Sequence, residues 1–156
     1  MEGIDHGRLS QTCRQICVQT ERLVNRVLDR EELTAVQAYV LRYILYRNQR
    51  GTSLTEIHKA FGCSMATLSS VVKRLREKGY VRTECCAGDD RCKLLFATEK
   101  GQRVHADLDS TICAAEQRIY GCFSTEELLT LDRLQQKLLK NLVSLIKSEQ
   151  KEAPNS

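Results

Sequence analysis

The chain has 156 residues, the usual size of one domain, and its 42% hydrophobic and 28% charged residues are typical of a globular protein. No apolar run approaches the ~18 residues of a membrane-spanning helix, and the N-terminus lacks the apolar core of a signal peptide. We therefore expect one cytoplasmic domain over residues 1–156, with no membrane partner. The net charge of +4 falls in residues 51–103, where ten Lys and Arg face six Asp and Glu, a pattern that favours an acidic partner but also occurs on solvated helices.

Apolar residues at three- and four-residue steps predict long amphipathic helices towards both ends of the chain. The first covers residues 8–28, and a second begins after Thr34, a good N-cap residue. Near the other end, Thr98 opens a helix that reaches about Cys122. A capping box of Ser124 and Glu127 then starts a last helix with a continuous leucine stripe.

The middle of the chain predicts a helix-turn-helix followed by a β-hairpin. Ser53 and Glu56 form a capping box for a short helix that Gly62 can end, and Ser64 caps the helix that follows. The segments YVRTECC and CKLLFA are typical of strands, and AGDDR between them is typical of a turn.

These elements define the expected fold class: mainly α (α+β), with a winged helix-turn-helix core and long N- and C-terminal dimerisation helices. The winged lobe covers about residues 34–98, the dimerisation helices about 8–28 and 99–147, and a flexible tail 148–156. The leucine stripe needs an apolar partner along its length, and a second copy of the chain is the expected one. The alternative is that the stripe is the core face of a monomer.

A helix-turn-helix places its second helix in the major groove of double-stranded DNA, and a hairpin beside it reaches the adjacent minor groove. Arg91 is the expected minor-groove probe of the hairpin, Asp89 is expected to fix its guanidinium by a bidentate contact, and Lys93 to meet phosphate. The DNA-contacting residues expected on the second helix are Ser64, Met65, Ala66, Thr67, Ser69, Ser70, Lys73 and Arg74.

Three segments together resemble the MarR family of winged-helix transcriptional regulators: LTAVQAYVLRYI, SLTEIHKAFGCSMATLSSVVKRLREKGYV and DDRCKLLFATEKG. The resemblance covers about residues 8–147 and implies a homodimer that binds inverted-repeat DNA, usually as a repressor released by a small molecule or by oxidation. Where the family often has polar or basic residues on the recognition helix, this chain has Met65, Ala66 and Ser70. Apolar contact of Met65, Ala66 and Thr67 with thymine methyl groups predicts an A·T-rich operator.

Three of the eight cysteines, Cys85, Cys86 and Cys92, flank the predicted turn. A pair across the hairpin comes within disulfide reach and would clamp the wing when oxidised, whereas the alternative is that all three are small strand residues. The spacing of cysteines and histidines disfavours a metal site, and we expect no metal and no cofactor, although a metal-sensing regulator is an alternative function.

Tyr39 and Tyr43 on the second helix either line a pocket for a small-molecule effector or belong to the core. A winged helix used only for protein contacts is an alternative to DNA binding, and a steep salt dependence of DNA affinity would distinguish the two. We expect no enzymatic activity, because the sequence has no phosphate loop, nucleophile elbow or His-Glu metal motif.

Overall fold

The computed structural model describes residues 3–28 and 32–152, and these form two compact units. The first unit ends at Glu116 and the second begins at Gln117. Within the described ranges, no helix is both long and apolar enough to cross a membrane. The single domain expected from the chain length stays a prediction.

The described residues form seven helices and one two-stranded antiparallel sheet, which confirms the predicted fold class. In chain order they are α1 (His6–Val27), α2 (Ala35–Tyr46), α3 (Leu54–Phe61), α4 (Met65–Glu77), β1 (Val81–Cys86), β2 (Asp89–Ala97), α5 (Glu99–Arg103), α6 (His105–Tyr120) and α7 (Thr125–Glu152).

Side-chain caps begin the helices where the sequence predicts them. Thr34 and Gln37 form a full capping box at α2, Ser53 and Glu56 form another at α3, and Ser64 caps α4. Each cap satisfies a backbone N–H that has no partner within the helix, which typically stabilises the fold by ~1 kcal/mol. At the end of α3, Gly62 has φ +68°, a left-handed conformation that glycine adopts without steric cost.

The core of the first unit surrounds α2, where Leu41 and Ile44 are fully buried. The apolar stripe of α4, formed by Leu68, Val72 and Leu75, belongs to the same core cluster. Because one face of α4 is buried in this way, its opposite face is turned to solvent.

The base of the hairpin is fixed to the helical core by backbone contacts. Thr52 and Leu95 exchange two backbone hydrogen bonds of 3.1 and 2.8 Å, so Thr52 extends the two-stranded sheet by one bridge. The Asn48 side-chain carbonyl accepts a 2.7 Å hydrogen bond from the Ala97 N–H. The strand that leads to the tip of the hairpin is therefore held at its base.

Three boundaries differ from the sequence prediction. The long helix expected from Thr98 is interrupted at Val104, so that α5 and α6 are separate helices. The short helix α5 packs closely against the backbone of Tyr80: a Cβ atom on Gly101 would lie only 2.4 Å from the Tyr80 carbonyl oxygen. Strand β2 begins at Asp89 rather than at Cys92, so part of the expected turn pairs with β1. The tail expected over residues 148–156 is helical to Glu152, because no glycine or proline interrupts α7 before Pro154, and residues 153–156 lie outside the described ranges.

Candidate nucleic-acid interface

The solvent-facing side of α4, together with its N-cap residue Ser64, carries the residues that the sequence predicts for DNA contact by the second helix of the helix-turn-helix. Ser64, Met65, Ala66, Thr67, Ser69, Ser70, Lys73 and Arg74 are all exposed. Between them, Leu68 and Leu75 are fully buried and hold the helix against the core. The helix therefore presents a polar and cationic face that no other described part of the chain covers.

Two of the predicted contact residues at the start of α4 already bind each other. The Ser64 hydroxyl oxygen accepts a 3.1 Å hydrogen bond from the Thr67 N–H and lies 2.8 Å from the Thr67 hydroxyl oxygen. This geometry favours a helix-capping role for Ser64 and leaves the Thr67 methyl group as the apolar contact at this position.

The turn before α4 is stabilised by a histidine. The ring Nδ1–H of His58 donates a 2.6 Å hydrogen bond to the carbonyl oxygen of Cys63. This bond joins α3 to the residue before the Ser64 cap, so it fixes where α4 begins.

The hairpin of β1 and β2, which we call the wing, carries Asp89, Arg91 and Lys93 in exposed positions towards its tip. The Asp89 carboxylate accepts a 2.9 Å hydrogen bond from the backbone N–H of Arg91. The predicted contact of Asp89 was a bidentate one with the guanidinium, so the observed contact is a correction: an aspartate bonds readily to the backbone two residues ahead in a turn. Asp89 therefore shapes the backbone from which the Arg91 side chain projects.

A groove of about 450 Å³ lies between α4 and the wing. It is lined on the helix side by Ser69, Lys73 and Arg76, and on the wing side by Thr83, Cys85 and Lys93, among other residues. The structure thus brings together predicted residues from two separate segments. Thr83 was not among the predicted contact residues, whereas Arg76, three residues after Lys73 on the same helix, was expected from the sequence to meet phosphate.

The charges along this groove are only partly neutralised. Lys73 forms a long 3.9 Å ion pair with Glu77 on its own helix, which is a weak contact between exposed groups. Arg82, which precedes the lining residue Thr83 but does not itself line the groove, pairs with Glu84 and lies over the ring of Phe96, 4.9 Å from its centre. Arg76 and Lys93 form no ion pair with any side chain that the structure describes. The groove therefore keeps cationic groups available for phosphates.

Two of the three cysteines at the wing are joined by a disulfide. Cys86 and Cys92 form a disulfide with their Cα atoms 5.3 Å apart, while Cys85 is a free and exposed thiol. The sequence predicts that a pair across the hairpin lies within disulfide reach but leaves its members open, and in the structure they are Cys86 and Cys92. Among the described residues, no group of three or more His, Cys, Asp or Glu side chains is arranged to hold a metal ion.

Tyr39 and Tyr43, the predicted pocket residues, are half-buried and pack against the core. The Tyr43 ring meets Phe61 edge-on with a centre-to-centre distance of 5.5 Å, and the Arg47 guanidinium lies 3.7 Å from the centre of the Tyr43 ring. These contacts fit the core interpretation of Tyr43. Binding of an effector here stays a prediction.

A polar cluster that the sequence did not reveal joins α2 to α6. The Arg42 guanidinium binds Asp109 at 2.8 Å and Glu116 at 3.2 Å, and the Tyr46 hydroxyl donates a 2.5 Å hydrogen bond to Asp109. The Tyr46 hydrogen bond and the charge of Arg42 lower the pKa of the Asp109 carboxyl group. Arg42 and Asp109 are 67 residues apart, so no local pattern could have linked them.

Comparison with known proteins identifies the class of the chain. Residues 33–101, which contain α2 to β2 and the start of α5, match the family model for the winged helix DNA-binding domain. This segment is therefore a winged-helix domain of the DNA-binding type.

Solved structures extend the match beyond that segment. The chain is similar to apo MarR from E. coli at 27% identity, with 88% of this chain and 99% of that chain covered and a TM-score of 0.64. It shares its fold with S. aureus MepR, solved in a complex with DNA, at 23% identity, 89% and 99% coverage and a TM-score of 0.78. It also shares the fold of a MarR-type regulator of Listeria monocytogenes, solved with a 26mer DNA, at 19% identity, 100% and 99% coverage and a TM-score of 0.81. These matches confirm the predicted resemblance to the MarR family of winged-helix transcriptional regulators.

Proposed function

We propose that the protein is a homodimeric repressor that binds an A·T-rich inverted-repeat operator and is released by a small molecule or by cysteine oxidation. The observation that carries this proposal is the cationic groove between α4 and the wing, lined by Lys73, Arg76 and Lys93. Because cationic side chains lie on both sides of this protein groove, they can contact DNA phosphates from both sides. Such phosphate contacts fix the register of a protein on the duplex.

The proposed mode of reading assigns different tasks to the two sides of the groove. The exposed face of α4 enters the major groove, where Met65, Ala66 and the Thr67 methyl group contact thymine methyl groups. The wing enters the neighbouring minor groove with Arg91, which the enhanced negative potential of a narrow A·T tract attracts. Both contacts favour A·T base pairs, and this supports an A·T-rich operator.

The apolar surface of α7 supports a dimer. This helix has 28 residues and is about 42 Å long at 1.5 Å per residue. Along it, Leu138 is 50% exposed and Leu142 46% exposed, and Leu129, Leu134, Leu139, Leu145 and Ile146 are also exposed. Such a stripe is normally buried against another helix, and a second copy of the chain offers the same stripe in a two-fold arrangement.

The relatives support DNA as the partner. S. aureus MepR and the Listeria monocytogenes regulator were solved with DNA, and a mutant of E. coli MarR was solved with operator DNA. Because a DNA-binding regulator acts where the chromosome is, we place the proposed function inside the cell.

Release of the operator is proposed to follow from a change at one of two places. An effector bound near Tyr39 and Tyr43 would act on α2, whose burial in the core connects it to the buried face of α4. Such a ligand shifts the equilibrium between the DNA-binding form and the released form only by the difference in its affinity for these two forms. Oxidation of the wing cysteines would act on the minor-groove contact directly.

Selection of bound sequences from a pool of random duplexes tests the proposal. The purified full chain, kept reduced, is expected to enrich A·T-rich inverted repeats with half-sites about one helical turn apart. Enrichment of no common sequence at matched salt would contradict a sequence-specific repressor. A loss of all binding between low and moderate salt without enrichment would identify the cationic groove as a non-specific polyelectrolyte surface.

A further inference from the structure

The pairing of the two wing strands changes register next to the tip. Cys85 lies opposite Lys93, whereas Cys86, the next residue, lies opposite Asp89. The three residues 90–92 of β2 therefore have no partner on β1 and form a bulge. Arg91, the proposed minor-groove probe, is the middle residue of this bulge.

The disulfide between Cys86 and Cys92 spans the bulge. It joins the last residue of β1 to the last residue of the bulge, with a Cα separation of 5.3 Å that is normal for a disulfide. The bond closes a ring around residues 87–91, which includes Asp89 and Arg91. Together with the hydrogen bond from the Arg91 N–H to Asp89, the ring fixes the backbone at Arg91.

We propose that Cys86 and Cys92 are a redox pair that sets the operator affinity of the wing, with the dithiol as the DNA-binding form and the disulfide as the released form. This inference rests on the proposed repressor function. An intracellular compartment keeps thiols reduced, so the dithiol is the resting form. A repressor occupies its operator at rest, and closing the disulfide is therefore the step that releases it.

The oxidant is a peroxide, and the reaction balances in two steps. One thiolate of the pair attacks the peroxide oxygen, which breaks the O–O bond, forms a sulfenic acid and releases an alcohol or water. The second thiol then attacks the sulfenic sulfur, forms the S–S bond and releases water. In total the two thiols lose two electrons and two protons, and the peroxide is reduced to an alcohol and water, or to two waters.

The wing responds because the ring holds Arg91 in the bulge. With free thiols, residues 87–91 are restrained by the hairpin alone, and the tip can adjust as Arg91 enters a narrow groove. With the ring closed, five residues are tied at both ends, and the direction of Arg91 is set before DNA is met. A fixed direction that does not follow the groove removes the contribution of Arg91 to binding.

Cys85 provides a matched control within the same strand. It directly precedes Cys86, is exposed and is free, and it lines the groove beside Lys93 rather than crossing the bulge. If the pair is the switch, then replacement of Cys85 leaves the ratio of reduced to oxidised affinity intact, whereas replacement of Cys86 or Cys92 abolishes that ratio.

Peptide mapping identifies the bond directly. The reduced full chain is treated with hydrogen peroxide, free thiols are alkylated, and the protein is cut with trypsin after Arg82, Arg91 and Lys93. A bond from Cys86 to Cys92 joins peptide 83–91 to the dipeptide 92–93, and fragmentation distinguishes Cys86 from Cys85. A bond that instead joins Cys92 to Cys85 or to a cysteine outside the wing would overturn the proposed pairing.

Operator affinity is measured on the same samples for wild type, Cys86→Ser, Cys92→Ser and Cys85→Ser, with the selected duplex as probe. Peroxide is expected to weaken wild-type and Cys85→Ser binding by about 5- to 150-fold, the range that loss of one base-reading arginine gives, and dithiothreitol to restore it. For Cys86→Ser and Cys92→Ser the reduced and oxidised affinities should agree. If peroxide leaves the operator affinity of the wild-type protein unchanged, then the proposed redox regulation is overturned and the repressor function is not. If the dithiol form of the protein binds no inverted repeat, then the repressor function itself is contradicted.

Discussion

The Asp89 carboxylate accepts a 2.9 Å hydrogen bond from the backbone N–H of Arg91. The contact closes a turn at the start of the wing bulge, so the acid acts on the backbone rather than on the guanidinium. The Arg91 side chain is exposed, and Asp89 shapes the backbone segment from which it projects.

Replacement of Arg91 by alanine is expected to weaken operator binding by about 1–3 kcal/mol, because it removes the proposed minor-groove contact. Fluorescence anisotropy with a labelled inverted repeat at fixed salt measures the change. Arg103→Ala is the matched control for loss of one positive charge, because Arg103 is paired with Glu99 on α5 and lies outside the groove. Equal losses for the two variants would show that the wing contributes only general charge.

Asp89 variants separate backbone shaping from charge. Asp89→Asn keeps a side-chain oxygen that can accept the Arg91 N–H, so it should bind the operator about as well as wild type. Asp89→Ala removes the acceptor and should weaken binding by about 1 kcal/mol, the typical net contribution of a hydrogen bond. If Asn behaves like Ala, then the negative charge of Asp89 matters and the backbone contact does not.

Arg76 should contribute to affinity through phosphate. It lines the groove and forms no ion pair with a described side chain, so Arg76→Ala is expected to reduce the slope of log affinity against log salt by about 1. The measurement is a salt titration of the DNA complex. Lys140→Ala on α7 is the matched control, and its slope should equal that of wild type.

The Tyr46 and Asp109 contact gives a pH dependence of stability with a defined sign. The Tyr46 hydrogen bond lowers the pKa of Asp109 below its ordinary value of 3.8. The contribution of this contact to the free energy of unfolding is therefore complete above pH 3.8 and is lost as the pH falls through the lowered pKa. Tyr46→Phe should therefore lower the free energy of unfolding by about 0.5–1 kcal/mol at pH 6, and by less as the pH falls below 3.8.

Urea unfolding at a series of pH values measures this difference. Tyr120→Phe, which removes an exposed tyrosine hydroxyl without touching Asp109, is the control and should not change with pH. A Tyr46→Phe deficit that stays constant down to pH 2 would show that the hydroxyl stabilises the protein independently of the Asp109 charge.

The local parts of this structure were predictable from the sequence. The caps at Thr34 and Ser53 act over three residues, and the exposed face of α4 follows from the helical period of Leu68 and Leu75, so short windows contain the information. The non-local parts were not predictable. The Arg42 contact with Asp109 depends on the packing of α6 against α2, and the wing bulge depends on which residues of β2 pair with β1.

The dimer prediction rests on α7. Charged substitutions in the middle of the stripe, Leu138→Glu together with Leu142→Glu, should abolish self-association because two like charges would face the same pair in the second copy. Sedimentation equilibrium measures the mass, and circular dichroism checks that the helical content is kept. The control pair is Lys137→Glu with Lys140→Glu, and a loss of association in that pair would show that net charge rather than the apolar stripe decides the assembly.

The central claim is that two copies present two recognition helices and two wings to one inverted repeat. The most direct test compares the affinity of the reduced protein for the selected repeat with its affinity for the same repeat after insertion of about half a helical turn between the half-sites. We predict that the insertion reduces binding to the level of a single half-site, because the second helix then faces the wrong side of the duplex. Equal affinity for the two duplexes would contradict the account.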